Sequence, residues 1–244
     1  MSPSSWSGAC RPDSVQWHGY RNEEQWAWAI AVVVAAALRR ALEAKDRARL
    51  LVSGGSTPAP AFEALSSAPL AWERVDIGLV DERWLLPDDK DSNARLARTH
   101  LLRDRAGAAR LDTLTRPGQD IEEAVAVANL AARRPADVVL LGMGDDGHTA
   151  SLFPHMRELE VHLASPDPYV AVDAGGCAGA GPWARRISLT PAGLAPAPTR
   201  LLLIRGARKR AVFEDALAGD DPTELPVRIA FRTPGAVLQV HWCP

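Results

Sequence analysis

Residues 136–154, ADVVLLGMGDDGHTASLFP, decide the fold. The apolar run 138–141 has strand length and starts with β-branched residues. It breaks into Gly142, Gly144 and Gly147, interleaved with Asp145 and Asp146 and followed by His148. Residues 149–153 then have a composition that can open a helix. Strand, glycine turn and helix start, in that order, put functional groups at the carboxyl edge of a parallel sheet. Glycine accepts positive φ and lets a ligand approach the backbone, and a histidine changes charge near neutral pH. A lone Asp-Gly-His is ordinary turn chemistry. Here it gains weight from three other strand ends with matching features.

Working outward, residues 1–21 have loop chemistry and predict an irregular lead-in, and 22–244 predict a single domain. Asn22 is a suitable N-cap for a long helix to about residue 46, with Glu23 and Glu24 at its positive end and Arg39 and Arg40 toward the other. Residues 49–52 read as a buried strand and run into Ser53-Gly54-Gly55-Ser56-Thr57-Pro58. Thr57 is read as a cap, with Pro58 at the first helical position. A second strand, 75–80, ends in Asp81-Glu82-Arg83-Trp84, and Ser92-Asn93 starts a helix. Residues 120–134 predict another helix, stopped by Pro135. Further strands are expected at 169–172, 186–190, 200–204 and 236–242, with Arg205-Gly206-Ala207-Arg208-Lys209 leading from the third of these into a helix. The Gly/Ala loop 175–182 is expected to flank a site.

Strands alternating with helices predict an α/β fold: a doubly wound, mostly parallel, Rossmann-like sheet with helices on both faces. Right-handed crossovers then bring all strand-to-helix turns to one edge. The turns SGGST, DERW, GMGDDGH and RGARK share a crevice in that arrangement. It combines a helix-start anion cradle (Gly54, Gly55, Ser56, Thr57), the cations Arg83 and Lys209, and an Asp146/His148 pair.

The chain has 244 residues, a net charge of −2 and a pI near 6.3, which give no general attraction to nucleic acid or anionic membrane. Any anion must be held by a local cluster. Its three cysteines, Cys10, Cys177 and Cys243, show neither zinc spacing nor a disulfide framework, which suits a reducing cytoplasm. The longest apolar segment, 26–38, is too short to cross a bilayer and lacks the basic lead of a signal peptide. A monomer or a small homo-oligomer is compatible with the sequence. Most of the eight tryptophans have no functional reading.

SGGSTP at 53–58, DERW with Pro87 and Ser92-Asn93, LGMGDDGHTASLFP at 141–154, RISLT at 186–190 and Gly206 with Lys209 fall in a diagnostic order. Together they resemble the 6-phosphogluconolactonase family, in the wider group that includes glucosamine-6-phosphate deaminase, over residues 22–242. The resemblance implies hydrolysis of 6-phospho-D-glucono-1,5-lactone to 6-phosphogluconate, in the oxidative pentose phosphate pathway, without metal or organic cofactor. It also separates the two relatives. Deaminases carry a Glu before the Pro that closes the DGH stretch, where this chain has Phe153, and a Tyr where it has Arg83.

On that reading His148 is the general base, and Asp146 orients its imidazole or positions the water. Arg83 stabilises negative charge at the oxyanion or on the phosphate. Residues 54–57 and Lys209 bind the phosphate, with Arg208 as a weaker candidate. Asp81 and Asp145 shape the site. The principal rival is a sugar-phosphate deaminase or isomerase; a binding protein without chemistry and a metal site at Asp145, Asp146 and His148 are less compatible with the pattern.

Overall fold

In the computed structural model, which describes residues 14–244, the chain alternates strands and helices almost throughout. β1 (Val15–Gly19) leads to α1 (Glu23–Ala44), β2 (Ala48–Val52) and α2 (Ala59–Ser66). β3 (Val75–Leu79), β4 (Asp81–Arg83), α3 (Asn93–His100), β5 (Arg110–Leu111) and α4 (Ile121–Ala132) follow. β6 (Val138–Gly142), α5 (Leu159–Leu163), β7 (Tyr169–Asp173), β8 (Arg185–Leu189) and α6 (Pro191–Leu194) form the next third. β9 (Thr199–Arg205), α7 (Gly206–Ala218), α8 (Ile229–Arg232) and β10 (Leu238–Cys243) complete the order.

Seven strands make one parallel sheet in the order β1-β10-β9-β6-β2-β3-β5. This is the doubly wound α/β arrangement that the alternation predicted. β2, β3 and β6 are buried nearly end to end, as parallel strands covered on both faces must be. Trp26, Ile30, Val34 and Leu38 repeat every four residues along α1 and are fully buried, so this stripe anchors the helix to the core. The expected cap holds at α1, where Asn22 accepts from Gln25 N; at α4, Asp120 forms a capping box with Glu123.

Several expectations are corrected. Residues 15–19, within the expected irregular lead-in, pair in register with β10 as an edge strand; residues 1–13 of that lead-in lie outside the described residues. A short edge strand has no strong period of its own, and its β-structure comes from the neighbour. DERW does more than end the second strand. Residues 81–83 are β4, which joins β8 and β7 in a separate antiparallel sheet. Tertiary pairing overrides the charge of the triplet because Glu82 is fully buried and spends its carboxylate on α3, accepting from Ser92 Oγ, Asn93 N and Ala94 N. Burial pushes that carboxyl up, against the opposing effect of these donors. Residues 149–153 form no helix. Ala150 has φ +51°, and the Thr149 and Ser151 hydroxyls donate to Gly142 O at 2.8 Å and Asp81 Oδ2 at 2.6 Å, which fixes a tight turn. Thr57 does not cap α2, whose N-cap is Pro58.

Arg200 is fully buried at the amino end of β9 and donates to Thr233 O, Ala195 O and Pro234 O. Burial pushes its guanidinium down to about 10. At the other end of the neighbouring strand, His241 is also fully buried, with Nδ1 2.9 Å from Tyr20 Oη and its ring stacked on His18 at 4.8 Å. Burial, reinforced by His18, pushes the His241 imidazole down to about 3. The ordinary value for an unfolded histidine is about 6.5, so between these limits the unfolded chain binds the extra proton. Stability from His241 is therefore complete above about pH 6.5 and is lost as pH falls toward 3. Urea-unfolding midpoints measured from pH 7 to pH 5 should fall, and His241→Gln should flatten that slope.

Candidate active site

The parallel register fixes where the chain leaves the sheet. Val52 lies opposite both Leu79 and Leu140, and Gly142 opposite Leu203, so the segments after β2, β3, β6 and β9 emerge at one edge. There they enclose a cleft of about 240 Å³. Ser53, Gly54, Gly55, Ser56 and Thr57 form one wall; Gly142, Met143, Gly144 and His148 form another. Asp81, Arg83, Asn93, Ala150, Arg186 and Lys209 complete the lining.

Most of the residues singled out from the sequence are thus brought to one cleft. His148 and Asp146 meet, with Nδ1 to Oδ1 at 2.6 Å, and the same carboxylate oxygen accepts from His148 N at 3.1 Å. Burial works to raise the Asp146 carboxyl, but its bonds to His148 outweigh that and hold it below the usual carboxylate range. An ionised Asp146 at Nδ1 leaves Nε2 as the imidazole nitrogen without a partner among the described residues. Gly179, in the loop expected to flank the site, lies against this pair: a Cβ there would overlap Asp146 Oδ2 and come 3.1 Å from His148 Nδ1. Phe153 is fully buried, 4.3 Å from the imidazole by ring centroids, with the Arg186 guanidinium 5.1 Å from its own centroid.

Also at the cleft, Lys209 Nζ donates to Thr57 Oγ1 at 3.5 Å. This is the role Thr57 has in place of a cap. Burial pulls the Lys209 ammonium down, while Asp145 and Asp146 oppose that pull. Arg83 donates through Nη1 to Asp91 O and to Asn93 Oδ1, and its buried Nε has no protein partner. Asp81 accepts from Ser151 Oγ, so its carboxylate is already engaged and shapes the wall. Arg208 is not brought to the cleft. Its exposed side chain pairs with Asp145 at 3.6 Å, because its place in the first turn of α7 turns it away from Lys209.

Arg186 and Asn93 line the cleft but were not singled out from the sequence as site residues. Arg186 is buried and donates to Trp183 O, Ala180 O and Ser151 Oγ, tying the loop before β8 to the turn after β6. The available signal was a charged residue heading an otherwise apolar strand. Asn93 donates to Asp81 O at 2.8 Å and accepts from Arg83, whereas in the sequence it reads as a helix start and part of a family motif, with no role in a site. Among the described residues, no group of three or more His, Cys, Asp or Glu is arranged to hold a metal ion.

Residues 21–242 match the family described as glucosamine-6-phosphate isomerases/6-phosphogluconolactonase. The chain belongs to this family. A Xylella fastidiosa relative named 6-phosphogluconolactonase is 49% identical over 226 residues, covering 92% of this chain and 94% of the relative. A Pseudomonas aeruginosa relative of the same name is 43% identical, with 88% and 89% covered. The crystal structure of a 6-phosphogluconolactonase from Shewanella baltica superposes with a TM-score of 0.87 at 33% identity, covering 97% of this chain and all of that one. A monomeric glucosamine-6-phosphate deaminase shares the fold alone, at 16% identity and a TM-score of 0.75, with 93% and 97% covered.

A Cβ on Gly54 would overlap the Asn93 carboxamide. Gly54→Ala should therefore displace Asn93 from Asp81 and Arg83 and cost about 1–3 kcal/mol. Asn93→Ala should absorb that cost, so urea unfolding of the double variant should be clearly less than additive.

Proposed function

We propose that the chain is a 6-phosphogluconolactonase that hydrolyses 6-phospho-D-glucono-1,5-lactone with water activated by His148 and no metal ion. The observation that carries this is the 2.6 Å His148–Asp146 contact at a cleft that the Gly54–Thr57 turn and Lys209 also line. The family and the names of its relatives supply the substrate class.

In this reading the phosphate sits at the cradle, against Gly54, Gly55, the hydroxyls of Ser56 and Thr57, and Lys209. Holding it there orients the lactone through a group remote from the reacting carbon. His148 Nε2 takes a proton from water as the oxygen attacks C1. Asp146 fixes the tautomer and stabilises the imidazolium, the same division of labour as in other carboxylate–histidine pairs. Arg83 meets negative charge on the substrate. Collapse of the tetrahedral intermediate breaks the bond from C1 to the ring oxygen, which leaves with the proton from His148. The products are a carboxylic acid, ionised at neutral pH, and a free hydroxyl. Phe153 favours this chemistry over deamination, because an apolar ring occupies the space beside the imidazole. The same reading assigns the enzyme to the cytoplasm, in keeping with unpaired Cys177 and Cys243.

His148→Ala should lower kcat by about 10²–10⁴-fold in a coupled assay that generates the lactone in place and subtracts spontaneous hydrolysis. Turnover near that of the parent enzyme would refute the base assignment. Chelator treatment should leave the parent rate unchanged. Lys209→Ala should raise KM with a smaller effect on kcat, and an unaltered KM would remove Lys209 from the phosphate cradle.

A further inference from the structure

The outer face of α1 carries large apolar side chains in solvent. Trp28 is 57% and Val32 63% exposed, one turn apart, and Ala29 and Ala36 beside them are only half-buried. The inward stripe of the same helix already satisfies the core, so these residues are not needed to attach it. Gln25, Trp28, Val32, Ala36, Arg39 and Glu43 lie within about 40° of one line down the helix at 3.6 residues per turn. That line has a particular symmetry about Val32. Four residues before it stands the large Trp28, and four after it the small Ala36. The end before it carries Glu24; the end after it carries Arg39 and Arg40.

We propose that this face binds a second copy of the chain, with two α1 helices antiparallel about a two-fold axis at Val32. An isologous contact places every residue opposite its mirror position. Trp28 of each copy then covers Ala36 of the other, the two Val32 side chains meet on the axis, and Ala29 and Ala36 permit close approach. Glu24 of one copy comes level with Arg39 of the other on the same side of the seam. Neither enters an ion pair within the chain among the described residues; Arg39 donates only to Pro69 O, at 3.4 Å. In a parallel arrangement like charges would meet, so charge selects the antiparallel one. A single helix pair is a small contact, which corresponds to a dimer that exchanges with monomer. The cleft lies outside α1, so both states retain the site.

Sedimentation velocity over a micromolar concentration series tests this. The parent chain should shift from monomer to dimer. Trp28→Ala should weaken association about 30-fold, as loss of a central aromatic contact does. Glu24→Arg and Arg39→Glu should each weaken it, and the two combined should restore it. Val32→Cys should form a disulfide-linked dimer on mild oxidation, and Gln25→Cys, off the axis, should not. Circular dichroism of each variant checks that the fold is kept. A parent chain that stays monomeric throughout, a dimer indifferent to Trp28→Ala, or charge swaps that fail to rescue one another would each overturn the proposal.

Discussion

The parallel pairing of β6 between β2 and β9 is the constraint on which the rest depends. Backbone hydrogen bonds set that register, and the register decides that Ser53, Met143 and Gly206 leave the sheet together. No side chain in the cleft needs to attract another across the molecule. Each is delivered by a strand whose position is already fixed by its neighbours. The buried apolar residues of the three strands supply the burial that holds the register, since a slip would turn alternate side chains toward the wrong layer.

The second, antiparallel sheet adds what a simple doubly wound fold would lack. β4 continues directly from β3, with Val80 N donating to Val52 O, and β8 is tied back through Leu189 N to Val80 O. Asp81, Arg83 and Arg186 therefore ride on a small sheet braced against the main one. The cleft is walled by loops on one side and by strand on the other. The strand side carries the guanidiniums, where burial among fixed carbonyls holds them without much freedom.

Much of this was legible in the residues. The period of apolar and polar positions gave β2, β6 and β9, which are buried nearly end to end, and the long helix α1, which has its N-cap and one continuous buried face. The Asp146/His148 pair was legible because two positions apart on a glycine turn is a local relation. What escaped was set at a distance. β1 and β5 exist only because a neighbour offers an edge. DERW is a strand because Glu82 has four donors waiting from β4 and the start of α3, and no local pattern announces that. Arg186 and Asn93 belong to the cleft through contacts 35 and 12 residues away in sequence. Arg208 was favoured by its neighbour Lys209, yet helical rotation separates adjacent residues by about 100°, and the pair cannot face the same way.

Phe153 touches the imidazole on one side and lies beneath the Arg186 guanidinium on the other. One ring thus contacts both an imidazole and a fixed cation. Exchanging it for an acid would introduce a negative charge next to both at once, tightening the proton on His148 and cancelling the field of Arg186 in the same stroke. A change of residue type at this one position therefore alters the surroundings of two charged or chargeable groups together.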